Sequence, residues 1–499
     1  MKPPFYITTP IYYVNDKPHI GHAYTSLACD MIARFKQLDG YEVKFITGTD
    51  EHGQKIEKAA SAKGINPQDF VDDVSQTFQK LCPILNLTNT DFIRTTEPRH
   101  KIAVQHLWQQ LMASGNIYLG EYAGWYAVRD EAFYQEDELV NGKAPTGADI
   151  EWIKESSYFF KLSAWQQPLL DYYAKHPEAI QPESRRNEVL RFIESGLKDL
   201  SISRRTLKWG IPVPGDADHV MYVWLDALTN YLTALGYPNS WFETHWHQAI
   251  HVVGKDILRF HSVYWPAFLM AANIAPPKTV FAHGWWMVEG EKMSKSLGNV
   301  IDPVKMVETY GADALRYFML RDLSFGQDGD FSLNSFLGRL NTDLANAYGN
   351  LCQRVLSFIY KNADAIIPTP GEFSVEDKAL LAMPKELLPT LRNHIDNFQL
   401  HRYCETVWQI IGEANRYVDA QKPWALKKED PARMATVLYT LTELIRQIAI
   451  LTQPILPLAS SKILDILCAE NNNFAALDQA LKSGVGISEP LPLFAKYNM

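Results

Sequence analysis

Apolar and polar positions along the first fifty residues change period twice. "FYITTP" is a short β-rich run, and from Tyr24 onward Leu27, Met31 and Phe35, with Ala28 and Ile32, recur at helical spacing. Asp30, Arg34 and Lys36 fall largely on the other faces of that helix. "YEVKFITGTDEHG" then predicts a strand through Val43, Phe45 and Thr47, followed by a glycine-bearing loop with Asp50, Glu51 and His52. Strands alternating with a helix and polar loops are the grammar of a doubly wound α/β sheet, whose ligands gather at the carboxyl ends of the strands.

The pattern changes between about Gly115 and Gly215. Short aromatic-rich strands ("YAGWYAV", "EAFY", "SYFFKL") and turn clusters ("NGKAPTG", "IPVPGD") read as an insertion between two halves of the sheet. Sheet grammar resumes at "VMYVWLDAL", at "AIHVV" with its "GKD" turn, and at "KTVFAHGWWMVEGEKMSKSLGN", a strand followed by a polar loop. Beyond about Asn334 strands vanish. Leu337, Leu340, Leu344, Tyr348, Leu351 and Val355 form one long amphipathic stripe, and further helical segments predict an all-helical bundle of four or five helices.

Composition narrows the class. At 499 residues the chain is too long for one ordinary core. No run of eighteen uncharged apolar residues occurs, so no membrane span is expected. "MKPPFYITTP" lacks the regions of a signal peptide, and the chain reads as cytoplasmic. The five cysteines are scattered, with no C-x-x-C pair, against both a zinc ribbon and a disulfide framework. A net charge of −9 neither favours nor excludes nucleic acid, because binding follows local basic surface.

Two segments carry chemistry. In "PHIGHAYTSL" His19 and His22 flank Gly21 where a helix begins. The pair could be half of a metal site, a satisfied piece of core, or a contact for an anion. A metal reading lacks further ligands at suitable spacing. Glycine at a helix start permits close approach, and the exposed N–H groups with the helix dipole favour phosphate there. The second segment is "EKMSKSLGN" (Glu291–Asn299), where Lys292 and Lys295 sit among small hydroxyl residues. Alone it reads as a solvated surface turn as readily as a basic loop.

Together, a histidine–glycine–histidine element after the first strand and a distant KMSKS resemble the two-part signature of class I aminoacyl-tRNA synthetases. "TTPIYYVNDKPHIGHAYT", "FITGTDEHGQKI", "YVWLDALTNYL", "VGKDILRFH" and "HGWWMVEGEKMSKSLGNVIDP" closely resemble the methionyl-tRNA synthetase family over nearly the whole chain. The resemblance implies an α/β fold: a Rossmann-like doubly wound parallel sheet with an inserted connective domain, followed by an all-α anticodon-binding bundle. The expected division is 1–115 and 216–285 for the two halves of the catalytic domain, 116–215 for the insertion, 286–335 for the KMSKS loop and stem-contact region, and 336–499 for the bundle.

The implied reaction is methionine plus ATP giving methionyl-adenylate and pyrophosphate, then transfer to the 3′ end of tRNA(Met), initiator and elongator alike. Catalysis then rests on positioning and on stabilising phosphate charge. The resemblance assigns His19, His22, Lys292 and Lys295 to catalysis. It places ATP on Gly21, Asn15, Gly284, Trp285, Met293, Ser294 and Ser296, with Mg2+ arriving on the nucleotide. Asp50 would meet the methionine ammonium, while Ile11, Tyr13, Trp224, Ala227, Tyr231, Ile257, Phe260 and His261 would enclose the side chain. An aromatic lining suits a polarizable thioether. Asn350, Arg354 and Trp424 would read the anticodon by stacking and edge hydrogen bonds. Without the family, each pocket residue is more simply plain core, and Asn350 and Arg354 are ordinary surface residues.

The chain also departs from many relatives. "GEYAGWYAVRDEAFYQEDEL" has Ala127 and Val128 where zinc-binding thiols would stand, so no structural zinc is expected. The insertion is too short for a separate editing domain, and no appended tRNA-binding domain follows the bundle, so a monomer is expected. A synthetase for leucine or isoleucine, a non-catalytic tRNA-binding paralogue and a histidine-metal hydrolase are the alternatives.

Overall fold

The computed structural model describes residues 2–14, 17–127, 129, 132–134, 136–293 and 298–498, and of residues 122, 132, 133, 153 and 292 the backbone alone. Six parallel strands form the central sheet in the order Asp91–Arg94, Glu42–Asp50, Pro4–Tyr13, Ala249–Gly254, Thr279–His283, Ile180–Gln181. The chain winds outward on both sides of Pro4–Tyr13, so strand order reverses between that strand and Ala249–Gly254. Such a reversal opens a crevice at the carboxyl ends of the two strands.

Residues Phe5 to Pro10 are buried without a break because helices cover both faces of the sheet. Phe5 and Ile7 pack with helix Ile20–Leu38, while Tyr6 packs on the opposite side with helices Pro98–Ala113 and Trp224–Thr233. The ladder to the second strand slips between Thr8 and Ile11, around Pro10, which has no N–H to donate. Beyond the slip Ile11 lies opposite Gly48 and Tyr13 opposite Asp50, which sets the rim of the crevice.

The stretch 116–215 needs one correction. It contains an antiparallel sheet of Ala132–Tyr134, Ile117–Ala127, Glu151–Phe160 and Leu200–Ser201. Ile180–Gln181, however, pairs in parallel with Val280 and Phe281 and closes the edge of the central sheet. Two residues show no alternation, so nothing in the pattern could assign them there.

From Leu333 to Ile466 the described elements are helices, and the whole predicted stripe from Leu337 to Val355 is buried. Leu340–Gly349 is wound as a π-helix rather than an α-helix. Pro431–Thr452 is long and apolar enough to cross a membrane, but 89% of its most apolar window is buried within the fold, as the central helix of the bundle.

Helix Ile20–Leu38 joins the two parts. Phe35 meets the Tyr403 ring edge-on at 5.6 Å, Lys36 pairs with Asp396 at 2.5 Å, and Asp39 with Arg392 at 2.7 Å. Asp30, fully buried, pairs with the fully buried Arg316 at 2.7 Å. Arg316 also donates to the carbonyls of Leu85, Pro454 and Ile455.

Candidate functional site

His19 is the N-cap of helix Ile20–Leu38. Its Nδ1 accepts from the Gly21 N–H at 3.1 Å, and the His19 N–H donates to His22 Nδ1 at 3.1 Å. The rings lie 3.8 Å apart. A backbone N–H can only donate, so each Nδ1 carries a lone pair and each neutral ring holds its proton on Nε2. Burial, and secondarily His19, hold the His22 pKa well below the usual imidazole value, which keeps that ring a neutral donor. Gly21 has a local reason to be glycine: a Cβ there would lie 2.9 Å from His19 Cε1. Tyr12 steadies the turn by donating to the His22 carbonyl at 3.1 Å while its ring contacts the imidazole at 4.7 Å.

The chain that follows the lysine-bearing segment comes to the same helix end. The Ile20 N–H, at the tip of the histidine helix, donates to the Ile301 carbonyl at 3.1 Å. Strand Glu291–Lys292 pairs with Met287–Val288, and Met293 is partly buried against the core that holds helix Ile20–Leu38. Asn15, Ser294, Lys295 and Ser296, and the Lys292 side chain, lie outside the described residues. Thr25 meets His283 Nε2 at 2.8 Å, and His283 Nδ1 donates to the Gly284 carbonyl at 2.7 Å, which ties the helix to the strand end before Trp285. A Cβ on Gly284 would lie 2.4 Å from the Gln327 backbone, so this glycine is required by packing. Trp285 is exposed; its indole donates to Asp256 at 3.1 Å, and Lys255, paired with Asp328 at 2.7 Å, sits 4.4 Å from its ring centre.

The aromatic end is built from two helices. Trp224 stacks on Phe260 at 3.5 Å with the planes 14° apart. The Tyr231 hydroxyl lies 2.7 Å from His261 Nε2, and His261 Nδ1 donates to the Ile257 carbonyl at 2.9 Å. Burial lowers the His261 pKa, against the opposing Ile257 hydrogen bond, to about 4. His261 is therefore neutral with Nε2 accepting, and Tyr231 is the donor. Ala227 is buried on the same helix face as Trp224 and Tyr231. Asp50 ends the second strand beside Tyr13. Tyr13 packs toward Ile56 and under Lys55, at 5.3 Å, and Ile11 is partly buried at the strand end.

In the helical region the Arg354 guanidinium lies 5.3 Å from the Trp424 ring centre and donates to Asp419 at 2.8 Å. Trp424 is 47% exposed, and Asn350 is exposed one turn before Arg354. Lys422, with φ +44°, turns the chain sharply ahead of Pro423 and aims Trp424 back at that helix.

Comparison with known proteins decides the family. Residues 5–151 and 137–356 match the family described as tRNA synthetases class I (M), and 367–498 the anticodon binding domain of methionyl tRNA ligase. The chain belongs to the methionyl-tRNA synthetase family. It is 52% identical to the methionine–tRNA ligase of Rickettsia felis, over 100% of this chain and 99% of that protein. It is also 52% identical to that of Brucella suis, over 99% of this chain and 98% of that protein. The Mycobacterium tuberculosis methionyl-tRNA synthetase in complex with methionyl-adenylate superposes with a TM-score of 0.95 at 48% identity, covering 99% of this chain and 100% of that one. The free state of that enzyme gives a TM-score of 0.89 at 44% identity, over 100% of this chain and 99% of that one.

Sequence reading within this methionyl-tRNA synthetase framework missed the supports of the site. Glu51, fully buried, takes hydrogen bonds from Arg94 at 2.7 and 2.9 Å and from Thr96 at 2.5 Å. His52 Nδ1 lies 2.7 Å from Asp226 Oδ2, and His100 Nε2 lies 2.9 Å from Asp226 Oδ1. "GTDEHG" flagged the loop, but His100 and Asp226 lie 126 residues apart and no local pattern joins them. Among the described residues no group of three His, Cys, Asp or Glu is arranged to hold a metal.

Proposed function

We propose that in this methionine–tRNA ligase His19 and His22 hold the nucleotide and its α-phosphate through their Nε2–H groups, and that Lys295, with Lys292, binds the departing pyrophosphate. The observation that carries this reading is the hydrogen bond from the Ile20 N–H to the Ile301 carbonyl at 3.1 Å, which seats the chain following KMSKS on the histidine helix. Two neutral donors and a helix N-terminus on one side, and ammonium groups on the other, suit a polyphosphate whose charge shifts as the carboxylate of methionine attacks the α-phosphorus. Mg2+ would be held by the nucleotide rather than by side chains of this chain, and would there neutralise phosphate charge.

Asp50 binds the methionine ammonium, and Trp224, Ala227, Tyr231, Ile257, Phe260 and His261, with Ile11 and Tyr13 at the rim, receive the side chain. The stacked Trp224–Phe260 pair and the Tyr231 ring offer a thioether the soft, flat surfaces it prefers, each such contact being worth about 0.3–1.5 kcal/mol. Asn350, Arg354 and Trp424 read the anticodon of initiator and elongator tRNA, on a cytoplasmic, monomeric enzyme whose insertion needs no zinc.

Amino-acid-dependent exchange of pyrophosphate into ATP tests the reading. Methionine is expected to support exchange, with leucine and isoleucine far below it; exchange driven best by either of those, or by none, overturns it.

A further inference from the structure

We propose that Asp226 is a positioning residue: through His52 it holds the Asp50 loop, and through His100 helix Pro98–Ala113, against the helix bearing Trp224, Ala227 and Tyr231, and so sets the spacing between the two ends of the methionine site. The proposal rests on the assignment of Asp50 and that helix given above.

Helix Trp224–Thr233 begins under strain. Val223 has φ +39° and ψ −81°, a region β-branched residues avoid, and no side chain caps the helix. Its first turn therefore needs an outside hold. Asp226 supplies one from the third helical position, where a carboxylate also suits the helix dipole.

Positions 224, 227 and 231 share one helix face, while 226, 230 and 233 share the next, turned from the pocket. On that second face one carboxylate ties three segments. His52, two residues after Asp50, meets it at 2.7 Å. His100, from helix Pro98–Ala113 and fully buried, meets it at 2.9 Å and reaches Thr233 at 3.1 Å with its other nitrogen. A carboxylate buried to this depth is costly unless paired on both oxygens, so the three segments keep one arrangement. Glu51 pins the middle of the loop from the other side through Arg94.

Asp226→Asn keeps the shape and removes the charge. In methionine-dependent pyrophosphate exchange it is expected to raise the KM for methionine about 10- to 100-fold, the scale of a misplacement of about 1 Å, with the KM for ATP changed less than about twofold. Inhibition by 4-(methylthio)butanoate, which is methionine without its ammonium, should be unchanged. The double variant Asp50→Asn/Asp226→Asn should lose no more than Asp50→Asn alone, since coupled residues are not additive. Additive losses, or equal weakening of methionine and the inhibitor, overturn the proposal and leave the Asp50 assignment standing. An Asp50→Asn variant with normal methionine KM would instead sink that assignment, and the proposal with it. Should Asp226→Asn fail to give a cooperative thermal melt, His52→Gln carries the same comparison.

Discussion

The Tyr231 hydroxyl donates to His261 Nε2 across 2.7 Å, and only a neutral His261 can accept it. This pair makes the fold around the Trp224–Thr233 helix sensitive to acid. The His261 pKa is lowered by burial to about 4, whereas the unfolded chain titrates near 6.5. Below about pH 6.5 the unfolded state takes up a proton that the folded state refuses until about pH 4. The contribution is therefore complete above that range and is lost as pH falls through it, by about 3 kcal/mol. Burial shifts His22, His251 and His283 the same way. Urea melts between pH 7.5 and 5 should show this slope, and His261→Gln should flatten it; an unchanged slope refutes the assignment.

Lys295→Ala should lower the rate of adenylate formation on the order of 10²–10³-fold, as removal of one charge-stabilising donor does. Methionine affinity in the absence of ATP should stay close to normal. Equal loss in both measurements would end the pyrophosphate role.

Trp424→Ala should reduce charging of full-length tRNA, on the scale of about 1–3 kcal/mol per stacked base, while pyrophosphate exchange stays intact. Arg354→Ala should follow the same split, because its guanidinium lies over the Trp424 ring. Parallel loss of exchange would mark both as structural residues of the bundle.

Asp30→Ala leaves Arg316 charged and fully buried without its carboxylate. Loss of one partner of such a pair costs about 3–5 kcal/mol. Denaturant titration should show it, and because Arg316 also bonds the 454–455 turn, the catalytic and helical parts should loosen together.

Metal analysis of the purified protein is expected to find no stoichiometric zinc, and EDTA should leave the thermal melt unchanged. In the insertion Ala127, Ala144 and Ala148 form a small apolar cluster with Tyr134 and Ile150 packed against it. One zinc per chain would overturn this.

Local sequence exposed the histidine–glycine–histidine turn, the strand–loop ends and the buried stripe of the bundle, because each depends on neighbours within about a helical turn or on strict alternation. The slip at Pro10 and the edge strand Ile180–Gln181 were hidden for opposite reasons: one interrupts a clear strand, and the other is too short to have a period. Gly284 has a packing reason the sequence hides, since its missing side chain makes room for the Gln327 backbone.

The sequence by itself determined the class of fold, the start of the histidine-bearing helix and the family, each written in short local motifs. Only the tertiary structure decided that Ile301 meets Ile20, that Arg354 meets Trp424, and that His52 and His100 share one carboxylate. Contacts between residues tens to hundreds of positions apart follow from how helices pack on a twisted sheet, and that packing depends on the shape of the whole core rather than on any period along the chain.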